Sequence, residues 1–394
     1  MGRLTRAARS GERRLLMIVH SDYPVEEPRV RRQAEVAHRA GWDVDVLALA
    51  SAGRPRKEIV DGVNVYRSRV AHTRRMSRWG LLSEYGRFWL DAATYCLHAP
   101  AYRTVVVANP PDFLVFATLP QRLRGAIVVL DIHDLMTDLF AVRLDKTMDS
   151  PEMRLLAWLE RASSSYADRL MTVHEPYGRE VNRRTRGSRR VAIVMNSADS
   201  RLFRRREAAP GGPPVICYHG SIFERYGVFD VLQAFARVSA RFPDAQLWML
   251  GGGDARAAVE DEARRLGIAG RCRFSDGFIA AEEIAELLPR VHIGVIPNRP
   301  NVLNRYALST KLFEYVAVGV PVICVRLETL AAHFSEDELL FYEPASVTDL
   351  AEKLGLALEN PDDMAARSRR AGERYARSYS WQHNGEVFLQ EIDT

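Results

Sequence analysis

Ala307-Leu-Ser-Thr-Lys-Leu-Phe-Glu-Tyr-Val-Ala-Val-Gly-Val-Pro-Val322 carries its own start and stop signals. Ser309 or Thr310 supplies the cap of a helix, Gly319 closes it and Pro321 prevents its continuation. A helix N-terminus presents unpaired backbone N–H groups and the positive end of the helix dipole, so it suits a phosphate. Lys311 adds a formal charge at that end. Glu314 stands about one turn further in, where a carboxylate can accept two hydrogen bonds from a ribose diol. The same residues read equally well as a capped core helix with a solvated Lys and Glu.

Outward from this segment, short apolar runs alternate with helical stretches, the pattern of parallel α/β domains. Upstream, strands are expected at 15–19, 44–49, 104–108, 127–132, 170–173 and 191–194. Helices are expected between them at 28–40, 81–98, 113–123, 151–166 and 175–184. The rhythm breaks over 201–214, where Arg204-Arg-Arg206 precedes Pro210-Gly-Gly-Pro-Pro214, a composition that reads as an interdomain linker. It then resumes with strands at 215–218, 246–250, 271–274, 293–296 and 322–325 and helices at 228–239, 255–266, 282–287, 310–318 and 347–358. The tail, 364–392, reads as helices. Two Rossmann-like sheets in series account for this, with domains at 1–205 and 206–375 and a closing helical segment at 376–394.

A length of 394 residues fits two domains, and 47% hydrophobic with 27% charged residues excludes a disordered chain. The net charge of +5 averages two opposed halves. Residues 1–210 hold 36 Lys/Arg against 24 Asp/Glu, and residues 211–394 hold 19 against 26. The basic half suits an anionic partner, although arginines that only solvate a surface give the same count. No nucleic-acid motif organises them, so nucleic acid is not expected. The four cysteines, Cys96, Cys217, Cys272 and Cys324, lack metal or disulfide spacing, which points to a reducing, cytoplasmic setting. No apolar run is long enough to span a bilayer, and residues 1–14 lack the apolar core of a signal peptide. The basic run Arg67-Ser-Arg-Val-Ala-His-Thr-Arg-Arg-Met-Ser-Arg-Trp79 has two readings. It is a patch for anionic lipid headgroups, giving peripheral contact at the inner face of the membrane, or a mobile basic loop before a core helix. Asp43-Val-Asp45 has a metal-like spacing but lies in an alternating strand, so no metal site is expected.

Lys311-Leu-Phe-Glu-Tyr with Gly319-Val-Pro-Val-Ile323 resembles the donor-binding helix of family 4 glycosyltransferases. Their fold is GT-B, two Rossmann-like domains facing a central cleft. Other similar segments follow the family's order: Asp131-Ile-His-Asp-Leu135, Asn196-Ser-Ala-Asp199 with Leu202-Phe203, and Tyr218-His-Gly-Ser221 with Arg225-Tyr-Gly227. Leu250-Gly-Gly-Gly-Asp254, Phe274-x-x-Gly277-Phe278 and Tyr379-Ser-Trp381 complete the set.

The resemblance implies a retaining transfer of a sugar from a nucleotide diphosphate sugar to an acceptor hydroxyl, in polysaccharide, glycolipid or other glycoconjugate biosynthesis. It implies no metal and no cofactor beyond the nucleotide sugar. His133, Arg225 and Lys311 are the catalytic candidates. Glu314, Ser309, Thr310, Gly220, Ser221, Gly251 and Phe278 would bind the donor. Tyr23, Arg29 and Arg32 would hold an anionic, lipid-linked or small-molecule acceptor. Two departures stand out. Tyr306 occupies the place of the first Glu in the family's Glu–seven residues–Glu pattern. Ser221 stands where an Arg is usual, and Arg225-Tyr226 replace a Lys region, leaving Arg225 or Lys311 to supply the charge. A catalytically inert, sugar-nucleotide-binding scaffold is the alternative these departures raise.

Overall fold

Strands that are apolar without interruption need cover on both faces, and both halves of the chain supply it with intervening helices. The computed structural model describes residues 13–25, 27–72, 78–144, 146–187, 189–207, 210–301 and 306–393. Residues 1–12, which carry most of the segment judged unlike a signal peptide, and 73–77 of the basic run lie outside the described residues. The chain divides into two compact units, Met1–Met195 with Asn384–Thr394, and Asn196–His383.

The first unit is built on eight strands: β1 (Arg14–Val19), β2 (Asp43–Ala50), β3 (Lys57–Val60), β4 (Val63–Ala71), β5 (Thr104–Ala108), β6 (Ile127–Ile132), β7 (Arg169–Thr172) and β8 (Val191–Ile193). Their order is β3-β4-β2-β1-β5-β6-β7-β8, parallel throughout except for β3 against β4. Leu15, Leu16, Met17 and Ile18 of β1 are buried on both faces.

The β3–β4 hairpin departs from the sequence expectation. Val60 pairs with Val63 across Asp61-Gly62, whose φ angles of 51° and 83° make the two-residue turn that suits twisted strands. The start of the basic run is therefore strand rather than loop. Arg67 is buried, donating to the Tyr23 carbonyl at 2.9 Å and pairing with Glu58 at 2.5 Å. The helix Met136–Leu144 is a further element the sequence reading did not place.

The second unit holds β9 (Val215–His219), β10 (Gln246–Leu250), β11 (Cys272–Phe274), β12 (Ile293–Ile296), β13 (Val322–Val325) and β14 (Leu340–Tyr342). Their order is β11-β10-β9-β12-β13-β14, all parallel. The joint between the units lies earlier than the Pro/Gly-rich segment suggested. Ser197 Oγ is 3.0 Å from the Tyr375 hydroxyl, and the Arg206 N–H donates to the Val318 carbonyl at 2.9 Å. Residues from Asn196 onward are thus bound into the second unit, and 210–214 lead directly into β9.

The closing helix, Trp381–Asp393, begins in the second unit and ends in the first. Asn384 Oδ1 accepts the Met195 N–H at 2.6 Å, and Thr104 Oγ1 donates to the Ile392 carbonyl at 2.7 Å. Strand succession crosses to the other side of the first strand between β1 and β5 in the first unit and between β9 and β12 in the second. Open α/β sheets bind ligands outside the C-terminal strand ends at such points.

Candidate functional site

In the second unit the helix Thr310–Val318 has the bounds its sequence predicts. Tyr315 fixes it to the sheet. Its hydroxyl donates to the Cys217 carbonyl at 2.8 Å, and its ring fills the space over Gly294, where a Cβ would come within 2.7 Å. Ser309 occupies the N-cap position, but its side chain makes no capping hydrogen bond. The first helical amides are therefore not covered by their own cap.

Lys311 is half-buried and packs along Gly220, where a Cβ would lie 2.9 Å from its Cδ. Its ammonium sits 4.7 Å from the Tyr218 ring centre and 5.1 Å from that of Tyr226, with the Tyr218 hydroxyl at 3.4 Å. Burial brings its pKa down to about 8, against the opposing pull of Glu314. Glu314 Oε2 lies 3.5 Å from Nε2 of buried His219, the last residue of β9. Burial, then the Lys311 charge, lower the His219 pKa to about 3, so its ring is neutral. Sequence reasoning quoted His219 without giving it a role; a titratable residue ending a strand beside the sheet's strand crossover was the available signal.

Ser309, Thr310, Lys311, Glu314 and Gly220 are thus gathered around the end of β9. Arg225 joins through Tyr226: its guanidinium lies 4.9 Å from that ring and 4.4 Å from Phe223. It also borders a groove of about 700 Å³ with Arg299, which is held by both oxygens of Asp230 at 2.9 and 2.6 Å. Ser221 is exposed, and its carbonyl accepts the Tyr218 hydroxyl at 2.6 Å. Gly251 has a φ of 147°, and a Cβ there would stand 1.9 Å from the Gly220 carbonyl oxygen. The glycine lets two loops meet, and its own N–H donates to Ser275 Oγ at 2.7 Å. Phe278 is 92% exposed on the neighbouring loop.

The first unit corrects the acceptor assignments. Arg29 is 2% exposed and grips Asp131 through Nε at 3.0 Å and Nη2 at 2.7 Å, while Nη1 donates to the Val194 carbonyl. A guanidinium engaged on all three nitrogens is not a phosphate ligand. Tyr23 is buried, and burial raises its hydroxyl pKa far above the ordinary value, so its side chain does not present itself to an acceptor. Arg32 is also buried.

His133 follows β6. Its N–H donates to Asn109 Oδ1 at 2.6 Å, and its Nε2 lies 3.2 Å from Asp131. Burial is the largest single influence and lowers the imidazole pKa, but the Asp131 charge, its hydrogen bond and the Glu27 charge together outweigh it, and the result lies above the ordinary value. Asp131 is held below the usual carboxylate range: burial opposes ionisation, and Arg29 and His133 overcome it. Gln33 Nε2 donates to the same carboxylate at 2.8 Å. Sequence reasoning assigned no role to Asp131, Gln33 or Asn109. In Asp43-Val-Asp45, Asp45 is buried and accepts from the Tyr102 hydroxyl and from Asn64 at 2.9 Å. Among the described residues no cluster of His, Cys, Asp or Glu is arranged to hold a metal, and no helix is long and apolar enough to cross a membrane.

Two Rossmann-like units, the second with a cationic helix start beside its sheet's strand crossover, define the GT-B class. The family described as "Glycosyl transferase 4-like domain" matches residues 26–197, and "Glycosyl transferases group 1" matches residues 199–376. The chain belongs to these GT-B glycosyltransferases of family 4. A glycogen synthase of Mycobacterium tuberculosis is 25% identical over 50% of this chain. That alignment spans 46% of the relative, so the chain matches about half of its length. Sucrose-phosphate synthase from Thermosynechococcus elongatus superposes with a TM-score of 0.75 at 19% identity, covering 96% of this chain and 97% of that one. Anabaena HepE, solved in complex with UDP and glucose, gives 0.68 at 13% identity, covering 97% and 99%.

Proposed function

We propose that the protein is a retaining, metal-independent glycosyltransferase that moves a sugar from a nucleotide diphosphate sugar to an acceptor hydroxyl in glycoconjugate biosynthesis. The observation that carries this is the arrangement around Lys311. An uncapped helix start, an ammonium held over two tyrosine rings and a carboxylate beside neutral His219 match a diphosphate and a ribose diol in turn. In the reaction the anomeric C–O bond to the diphosphate breaks. The acceptor oxygen bonds to the same face of the sugar, and its proton passes to the departing phosphate oxygen. Lys311, the amides of Thr310 and Lys311, and Arg225 stabilise the charge on the leaving group. His133, whose pKa lies above the ordinary histidine value beside Asp131, is our candidate for acting on the donor sugar.

Screening UDP-, GDP- and ADP-sugars for slow hydrolysis by the purified protein tests the reading; turnover of any one supports it, and none would leave the inert scaffold. Glu314→Ala raises the nucleotide dissociation constant about tenfold or more, as expected for hydrogen bonds to a charged group. Unchanged affinity in calorimetry removes Glu314 from the ribose role.

The acceptor we infer is anionic or lipid-linked, met by a cytoplasmic protein at the inner face of the membrane. Support comes from the helix Arg78–His98, where Trp79, Leu82, Leu90 and Leu97 are 80%, 52%, 59% and 53% exposed. At 3.6 residues per turn they share one stripe. Sedimentation with anionic and neutral vesicles tests this, and equal partitioning removes it.

A further inference from the structure

Where β9, β12 and β13 begin, the second unit has a half-open cavity of about 530 Å³, a volume in the range that holds small organic ligands. Its floor is apolar: Ile293, Pro321, Leu358, Met364 and Ala365. Its charged side chains are Arg205, Arg206 and Arg369, with Glu207 the one carboxylate on the wall. Lys311 and Gly220 stand at the other end of β9. That strand has five residues, so at about 3.3 Å per residue the two places are roughly 16 Å apart, and the cavity is not the donor site.

The arginines are a concentration of unspent charge. Among the described residues, no carboxylate pairs with Arg205, Arg206 or Arg369. Arg206 Nη1 donates instead to the carbonyls of Val291 at 2.6 Å and Pro289 at 3.3 Å. Burial, then the charge of neighbouring Arg205, bring its pKa down to about 10. Arg205 lies against Gly319 and Gly372, its Nη1 only 2.3 Å from where a Cβ on Gly372 would sit. Ser368, on the helix Pro361–Arg374, lines the same cavity at 5% exposure, and its hydroxyl has no hydrogen-bond partner among the described residues. Buried hydroxyls are ordinarily bonded. His292 is not part of this reserve, because its Nδ1 accepts the Val215 N–H at 3.0 Å.

We propose that this cavity is a second ligand site, for a small organic phosphate. Its phosphate meets Arg205, Arg206, Arg369 and the Ser368 hydroxyl, and its apolar body lies on Ile293, Leu358 and Met364. The site stands independently of the transferase reading, since no group in it serves the donor.

Titration calorimetry with phenyl phosphate tests the proposal on the full chain, on R205A/R369A and on K311A. The wild-type chain binds one equivalent, K311A binds it equally well, and R205A/R369A binds about tenfold more weakly or worse. No binding to the wild-type chain overturns the site, as does binding that K311A abolishes or that the double variant keeps. Should R205A/R369A fold poorly, R369E replaces it, because Arg369 is exposed and reversing its charge leaves the packing in place.

Discussion

The end of β6 in the first unit and the end of β9 in the second carry the same kinds of group, a buried charge with a histidine, and use them in opposite ways. At β6 the account closes: Arg29, Gln33 and His133 all converge on Asp131. At β9 it stays open. Among the described residues, Lys311 has a single long hydrogen bond, to Tyr218, and its pKa falls while that of His133 rises. Burial of a charge is therefore no marker of a ligand site. Charge and hydrogen-bonding capacity left unspent are.

The sharpest way to break this comparison is Arg29→Leu. Removing one partner of a buried pair strands the other, which costs about 3–5 kcal/mol. The urea midpoint of the variant falls accordingly, while nucleotide affinity stays as it was. A stable variant that instead loses acceptor binding would return Arg29 to the role its sequence position suggested.

Lys311→Ala is expected to do the reverse. Nucleoside diphosphate affinity drops by about 1.5–3 kcal/mol, the worth of a hydrogen bond to a charged group. The folded state is unharmed or slightly steadier, because burial of an ammonium that forms no ion pair among the described residues outweighs the pull of Glu314. Calorimetry and thermal melting of one preparation read both quantities. A destabilised variant with intact affinity would make Lys311 a packing residue.

The open site also predicts a pH dependence. Lys311 is lowered to about 8, so the cation that attracts a diphosphate is present below that value and lost above it. Diphosphate affinity then declines as pH rises beyond about 8, approaching tenfold per unit at the limit. Lys311→Arg, always charged, flattens the decline. A wild-type profile already flat between pH 7 and 9 (the range that brackets about 8) counts against Lys311 as the diphosphate's cation.

How far the sequence reaches follows the same division. Helix Thr310–Val318 was legible to the residue, because Ser309, Gly319 and Pro321 punctuate it locally. Most of the parallel strands were legible as apolar runs, although the short edge strand β14 was not placed. The β3–β4 hairpin was missed although Asp61-Gly62 announces such a turn, because its strands carry Lys57, Glu58, Arg67 and Arg69 and imitate a surface loop. Arg29 was misread for a related reason. Its partner Asp131 lies 102 positions away, and nothing local tells a surface arginine from one that will be buried against a distant carboxylate. Glycine at 251 showed that the chain comes close to something, but not that the neighbour is Gly220.

The smallest effect expected falls on His133, where the closed site titrates. A folded pKa above the ordinary histidine value means that the protonated ring stabilises the fold. That contribution is complete below about 6.5 and is lost as pH rises through the folded value. His133→Asn keeps a hydrogen-bonding side chain but cannot take the proton. Its melting temperature should trail the wild type at pH 5.5–6, by under about 1 kcal/mol of stability, and the gap should narrow toward pH 9. Turnover discriminates further. If His133 serves only to close the Asp131 network, the variant's kcat follows its stability across pH; if it acts on the donor sugar, kcat falls even where the two proteins are equally stable. A gap that widens with rising pH would reverse the sign of the argument and make His133 a neutral ring in the native protein.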